Sequence, residues 1–133
     1  MEEFMSQMNK QVTRNIDPAS AQDLLERVPR ACLSFAGDRG PEAWPVVLLW
    51  RDGRYLIHFQ QSAGCPPAAG QEAVLLVDEG VHYFDLRAIY IRGQVRPAEA
   101  PPGAPFKRAW YELVPLKTVA WDYGQMREVS GER

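Results

Sequence analysis

The chain predicts a mostly β protein, about six antiparallel strands forming one small barrel behind a single opening helix. Three observations lead there. Apolar residues recur with a strand period from Arg30 to Tyr123. Turn residues punctuate those runs at hairpin spacing: Gly37 to Gly40, Asp52 with Gly53, and Glu79 with Gly80. The one helix-start signal, Asp17 followed by Pro18, precedes the first strand. At 133 residues the chain fits one domain that buries roughly two thirds of its unfolded surface. We divide it into an arm (1–16), a barrel domain (17–125) and a tail (126–133).

The arm mixes Met, Gln, Asn and charges without a clean period, which suits a partly helical segment whose Phe4, Met5 and Met8 pack on a partner. At Asp17 a side-chain acceptor caps the helix, and Pro18 presets the first turn. Leu24, Leu25 and Val28 then form an apolar stripe that stops before Pro29. Ala31 to Ala36, Ala43 to Trp50 and Arg54 to Phe59 read as three antiparallel strands. The second is apolar on both parities, Trp44, Val46, Leu48 and Trp50 against Ala43, Val47 and Leu49, so both of its faces should be covered.

Gln60 to Gln71 is a loop in which Pro66 and Pro67 prevent a regular ladder, and Glu72 to Val77 resumes as a strand. Val81 to Arg96 is long enough for one bent strand, with Gly93 marking a bulge or a close backbone approach. Tyr90, Arg92, Gln94 and Arg96 share one face of it, and Ile89, Ile91 and Val95 the other. Residues 97–105 hold four of the eleven prolines and read as an irregular crossing. Phe106 to Val114 and Lys117 to Tyr123 supply the last strand or two.

With 15 basic and 17 acidic residues the net charge is -2, so nothing global attracts a nucleic acid or an anionic membrane. Cys32 and Cys65 cannot make a disulfide framework and have no companions at metal-ligand spacing, so no metal site is expected. Free thiols, the lack of a signal-like run in residues 1–15 and the lack of a ~20-residue apolar span suit a cytoplasmic protein. His58 ends the third strand beside the loop, where it could meet a ligand, although a strand-end histidine is ordinarily only half-buried. Neither Ser34 nor Ser62 sits in a nucleophile elbow, and no histidine has a visible acidic orienter, so no catalytic residue is named.

The order of helix, strands and the RAIYIRGQV segment, closed by Pro115, Lys117, Trp121, Asp122 and Tyr123, resembles the pyridoxamine-phosphate-oxidase-like split barrels over about residues 20–125. That superfamily includes flavin and deazaflavin reductases. The resemblance implies a six-stranded antiparallel split barrel that forms a homodimer, with a small-molecule ligand in each of two interface clefts. FMN is the implied cofactor and a deazaflavin (F420) the alternative. It also implies that Val46, Val47 and Leu48 line the ring, that His58, Gln60, Gln61 and Ser62 meet the polar tail, that Arg92 supplies charge and that Trp121 arrives from the second chain. The implied activity is oxidoreduction of a small organic substrate. The alternative is a non-catalytic homologue, without cofactor, that serves as a small-ligand-binding or dimerisation module.

Family members commonly place a Ser or Thr and then a Lys or Arg after the third strand to hold a phosphate. Here no Lys or Arg occurs from Tyr55 to Leu86, and Cys65 stands about where the cation would be. A phosphate would lean instead on loop amides, Ser62, Arg92 or Arg96.

Overall fold

The structure, a computed structural model, describes residues 10–13, 15–28, 30–60, 65–125 and 127–130. Its strands are β1 (Lys10–Thr13), β2 (Asn15–Ile16), β3 (Arg30–Gly37), β4 (Gly40–Arg51), β5 (Arg54–His58), β6 (Glu72–Glu79), β7 (Arg87–Pro97), β8 (Trp110–Asp122) and β9 (Arg127–Ser130). Helix α1 spans Gln22–Arg27. The order β8-β5-β4-β3-β6-β7, closed by a second pairing of β7 with β8, makes a ring of six antiparallel strands. This is the barrel the strand periods predict.

The inward parity of each strand is apolar, and together those side chains fill the ring. Leu33 and Phe35, Val46 and Leu48, Ile57 and Phe59, Leu75 and Val77, Ile89 and Ile91, and Leu113 and Ala120 form one buried core. Phe35 and Phe59 meet edge to face at 6.2 Å. Such burial is the main stabilising term, each large side chain contributing about 1.5–3 kcal/mol, and it leaves the interior packed rather than hollow.

Helix α1 seals one end with buried Leu24 and Leu25. Asp17 does cap this region, its Oδ1 accepting from the Ala19 amide at 3.0 Å. The first turn, Pro18–Ala21, is 3-10, however, and the α-helix proper is only six residues long. It is tied to the sheet by Asp23, which accepts from Arg87 Nη2 at 2.7 Å and from Arg27 Nη2 at 2.9 Å. Those two cations, Arg87 foremost, hold the Asp23 carboxyl well below the usual range.

Three expectations are corrected. The arm is not helical where it is described: β1 pairs with β9, so residues 10–13 and 127–130 of arm and tail form a ribbon, and β2 adds to β8. Phe4, Met5 and Met8 lie outside the described residues. The long strand from Val81 starts only at Arg87, because Gly80 has φ +123 and Asp85 closes a 3-10 turn by accepting from the His82 amide at 2.8 Å. The last strand is single, and Phe106 to Ala109 belong to the crossing. At Gly93 both expected features occur: the register slips so that Leu116 bulges out of β8, and the Val114 carbonyl occupies the space a Cβ would need. Among the described residues no helix is long and apolar enough to cross a membrane.

Candidate functional site

The barrel interior is filled, which leaves the outer surface for a ligand, and two regions stand out there. Directly paired residues share a face, which defines the first region. Cys32, Leu76, Tyr90 and Val119 lie in one row across β3, β6, β7 and β8. Ala88 and Trp121 flank it on one side, and Ser34, Val74, Arg92 and Lys117 on the other. Most of these side chains are half-buried, and among the described residues no further segment covers them. The Trp121 ring stands 5.1 Å from Tyr90. Beside it Leu76, Asp78, Leu86, Ala88, Trp121 and Tyr123 line a cleft of about 200 Å³. Arg92, on the wet edge of this face, meets Glu72 at 3.4 Å.

The second region forms where the proline-rich crossing lies over the outside of β5. Prolines and the absence of a ladder let residues 98–109 follow the barrel wall, pinned by the Ala98 amide on the Trp110 carbonyl and the Phe59 amide on the Ala109 carbonyl, both 3.0 Å. His58 and Trp110 pair across β5 and β8 on the outward side, yet both are buried because this segment covers them. Trp110 Nε1 donates to the Phe106 carbonyl at 2.8 Å. Phe106 lies flat on His58, with centroids 4.1 Å apart and planes within 3°. His58 Nδ1 lies 3.0 Å from the Arg108 carbonyl, which can only accept. Nδ1 therefore carries the proton, leaving Nε2 as an acceptor in the neutral ring.

A groove of about 530 Å³ opens at this corner, lined by His58, Gln60, Pro105, Phe106, Lys107, Arg108 and Ala109. Among the described residues no carboxylate pairs with Lys107 or Arg108. Ala109 holds φ +62, a left-handed conformation that a Cβ disfavours by roughly 1–2 kcal/mol. That strain sits where the crossing must turn sharply into β8. Ala109→Gly should therefore raise the unfolding free energy by about 0.5–1 kcal/mol in a urea titration, the relief being partly offset by greater freedom of the unfolded chain; an unchanged midpoint would mean the turn is not strained.

The predicted site residues are thus divided. His58 and Gln60 share the groove. Val46 and Leu48 point into the core, only 3% and 2% exposed, whereas Val47 lies on the outward parity. Trp121 and Arg92 belong to the uncovered face, and Gln61 and Ser62 lie outside the described residues. Sequence reasoning missed Phe106, Lys107 and Arg108, which it placed at the start of a strand. The available signal was a pair of cations directly after a run of prolines.

No protein-family model matches the chain, and no curated protein matches it. Solved structures do. A FAD-binding protein from Mycobacterium smegmatis superposes with TM-score 0.61 at 16% identity, over 83% of this chain and 96% of that one. A putative pyridoxamine 5'-phosphate oxidase from Corynebacterium glutamicum gives 0.61 at 12%, over 90% and 99%. The fold is the pyridoxamine 5'-phosphate oxidase-like split barrel. A heme-binding protein from Mycobacterium smegmatis is also similar, with TM-score 0.57 at 13% identity over 88% of this chain and 60% of that one. At these identities the likeness is one of fold, and split barrels thus include neighbours named for flavin and for heme.

Proposed function

We propose that the protein binds a flavin-type cofactor, FMN or a deazaflavin, across the interface of a homodimer and acts as an oxidoreductase on a small organic substrate. The observation that carries this reading is the uncovered apolar row Cys32, Leu76, Tyr90 and Val119 with Trp121 at its edge. A β face of this composition is stable in water when a second apolar surface covers it, and a self-complementary copy is the commonest such partner.

The two outward regions support a shared site. His58 pairs with Trp110 at one end of β8, and Trp121 stands eleven residues further on, roughly 35 Å along the strand path. One chain cannot place both against the same ring, whereas a two-fold partner can bring its Trp121 toward the groove of the first. The residues suit such a ligand: apolar and aromatic walls for a flat ring, and His58 and Gln60 for polar atoms. When bound, the flavin supplies the electron or hydride transfer, and the chain's residues orient it and exclude water. Its neighbours' flavin binding and the shared fold support the cofactor class.

Leu76→Glu tests this directly, since it puts a charge at the centre of the row without entering the core. The expected result is a dimeric wild type that quenches its tryptophan fluorescence on titration with FMN, and a folded Leu76→Glu monomer that does not. A wild type that is monomeric in solution, or that ignores FMN, deazaflavin and heme alike, would refute the reading. A dimer that binds none of them would be the non-catalytic homologue.

A further inference from the structure

Resting on the flavin reading, we propose that the groove beside His58 is an anion site in which Lys107 and Arg108, carried by the proline-rich crossing, hold the phosphate of the ligand's tail. The strand and loop from Tyr55 to Leu86 contain no Lys or Arg. Folding nevertheless returns two cations to the end of β5, because residues 105–109 lie against His58 and Gln60.

Charge separates this groove from three other depressions among the described residues. Its lining holds Lys107 and Arg108 and no carboxylate. The cavity at the β3–β4 turn contains Asp38 and Glu42 beside Arg39, the one near Arg51 and Arg54 contains Asp52 and Glu99, and the Trp121 cleft contains Asp78 without a cation. Residues 61–64, which follow Gln60 in sequence, include no acidic residue. A dianion there gains two charge-assisted donors and meets no repulsion, while the flat His58–Phe106 pair offers an apolar wall to the group that carries it. The backbone of the same segment is fixed by the bonds from Phe59 and His58 to Ala109 and Arg108, so the cations are held near the groove at less entropic cost than on a free loop.

FMN and riboflavin share a ring and differ by the phosphate, which makes them the appropriate probes. Both are titrated into the full chain and into Lys107→Ala/Arg108→Ala at low ionic strength, and sodium pyrophosphate alone is followed by melting temperature. Lys107→Gln/Arg108→Gln serves as a second variant that keeps the side-chain stems. The wild type should bind FMN at least about tenfold more tightly than riboflavin. Either double variant should lose most of that preference with its riboflavin affinity unchanged, as expected for the loss of charged donors. Pyrophosphate should raise the melting temperature of the wild type alone.

A phosphate preference that survives in both variants, or that the wild type lacks, overturns the proposal and leaves flavin binding intact. Pyrophosphate stabilisation that depends on the two cations, in a protein that takes neither flavin, keeps the anion site and removes the flavin. No response to flavin or pyrophosphate removes both.

Discussion

Gly93→Val is expected to destabilise the barrel by about 3 kcal/mol, lowering the melting temperature by roughly 10 °C. Gly93 lies inside the ring where β7 crosses the bulge of β8, opposite Ala73 and Pro115. A side chain there meets the carbonyl of Val114 and the Cα of Pro115, which are backbone and cannot rotate away. The β7–β8 pairing closes the barrel, so spreading it costs ladder hydrogen bonds as well as packing. Gly37→Ala provides the contrast, because the atoms nearest the new methyl group there belong to the flexible Glu42 side chain, which can swing aside. It should cost under about 1 kcal/mol. Equal losses for the two variants in a denaturant titration would show that the close approach at Gly93 is not what the chain needs a glycine for.

The alternation of Ile89, Ile91 and Val95 against Tyr90, Arg92 and Gln94 is visible in sequence because a strand with one wet face repeats every two residues. That period marks the core face of β7. Gly80 hid the true start of β7. Tyr83 and Phe84 have high strand propensity, but the close approach of Asp85 to Gly80 and the bonds between Asp85 and His82 hold them in a 3-10 corner. On β4 the two parities are equally apolar, so periodicity could not say that Val46 and Leu48 face inward while Val47 faces out.

The candidate site was half legible for a similar reason. His58 and Gln60 are local to a strand end and its loop, but Phe106, Lys107 and Arg108 reach them from some fifty residues away through a segment without any period. Propensity carries no information about where such a segment will lie. The pairing of arm with tail through β1 and β9 was opaque on the same ground, since four-residue strands of mixed composition declare themselves only through their partner.

Glu112 gives the other large expectation, because it is a buried carboxylate held by two surface arginines. Its outward position on β8 is covered by the crossing, leaving its side chain 9% exposed, and it accepts from Arg54 Nη2 at 2.7 Å and Arg96 Nη2 at 2.9 Å. Those bonds, Arg54 first, outweigh burial and bring its pKa from an ordinary 4.5 down to about 2. A folded-state value below the unfolded one stabilises the protein above the unfolded pKa, and that contribution is lost as pH falls through the folded value. The window therefore runs from about pH 4.5 to pH 2, with about half of the effect gone by pH 3. Because both arginine side chains are more than half exposed, at 53% and 61%, water screens the pair, and the ionic contribution is on the order of 2 kcal/mol rather than the full shift.

Removing both cations does more than delete that contribution, since it strands a charge in a covered position. Arg54→Ala/Arg96→Ala should lose about 3 kcal/mol at pH 7, and adding Glu112→Leu should restore much of it, because a buried leucine needs no partner. Urea titrations of wild type and double variant at pH 7 and pH 3 make the comparison, with other acidic groups cancelling between the two proteins. The gap between them should narrow by at least half at pH 3. A gap that stays constant would mean the arginines stabilise the barrel through their aliphatic stems, lying over β5 and β8, and not through the carboxylate beneath them.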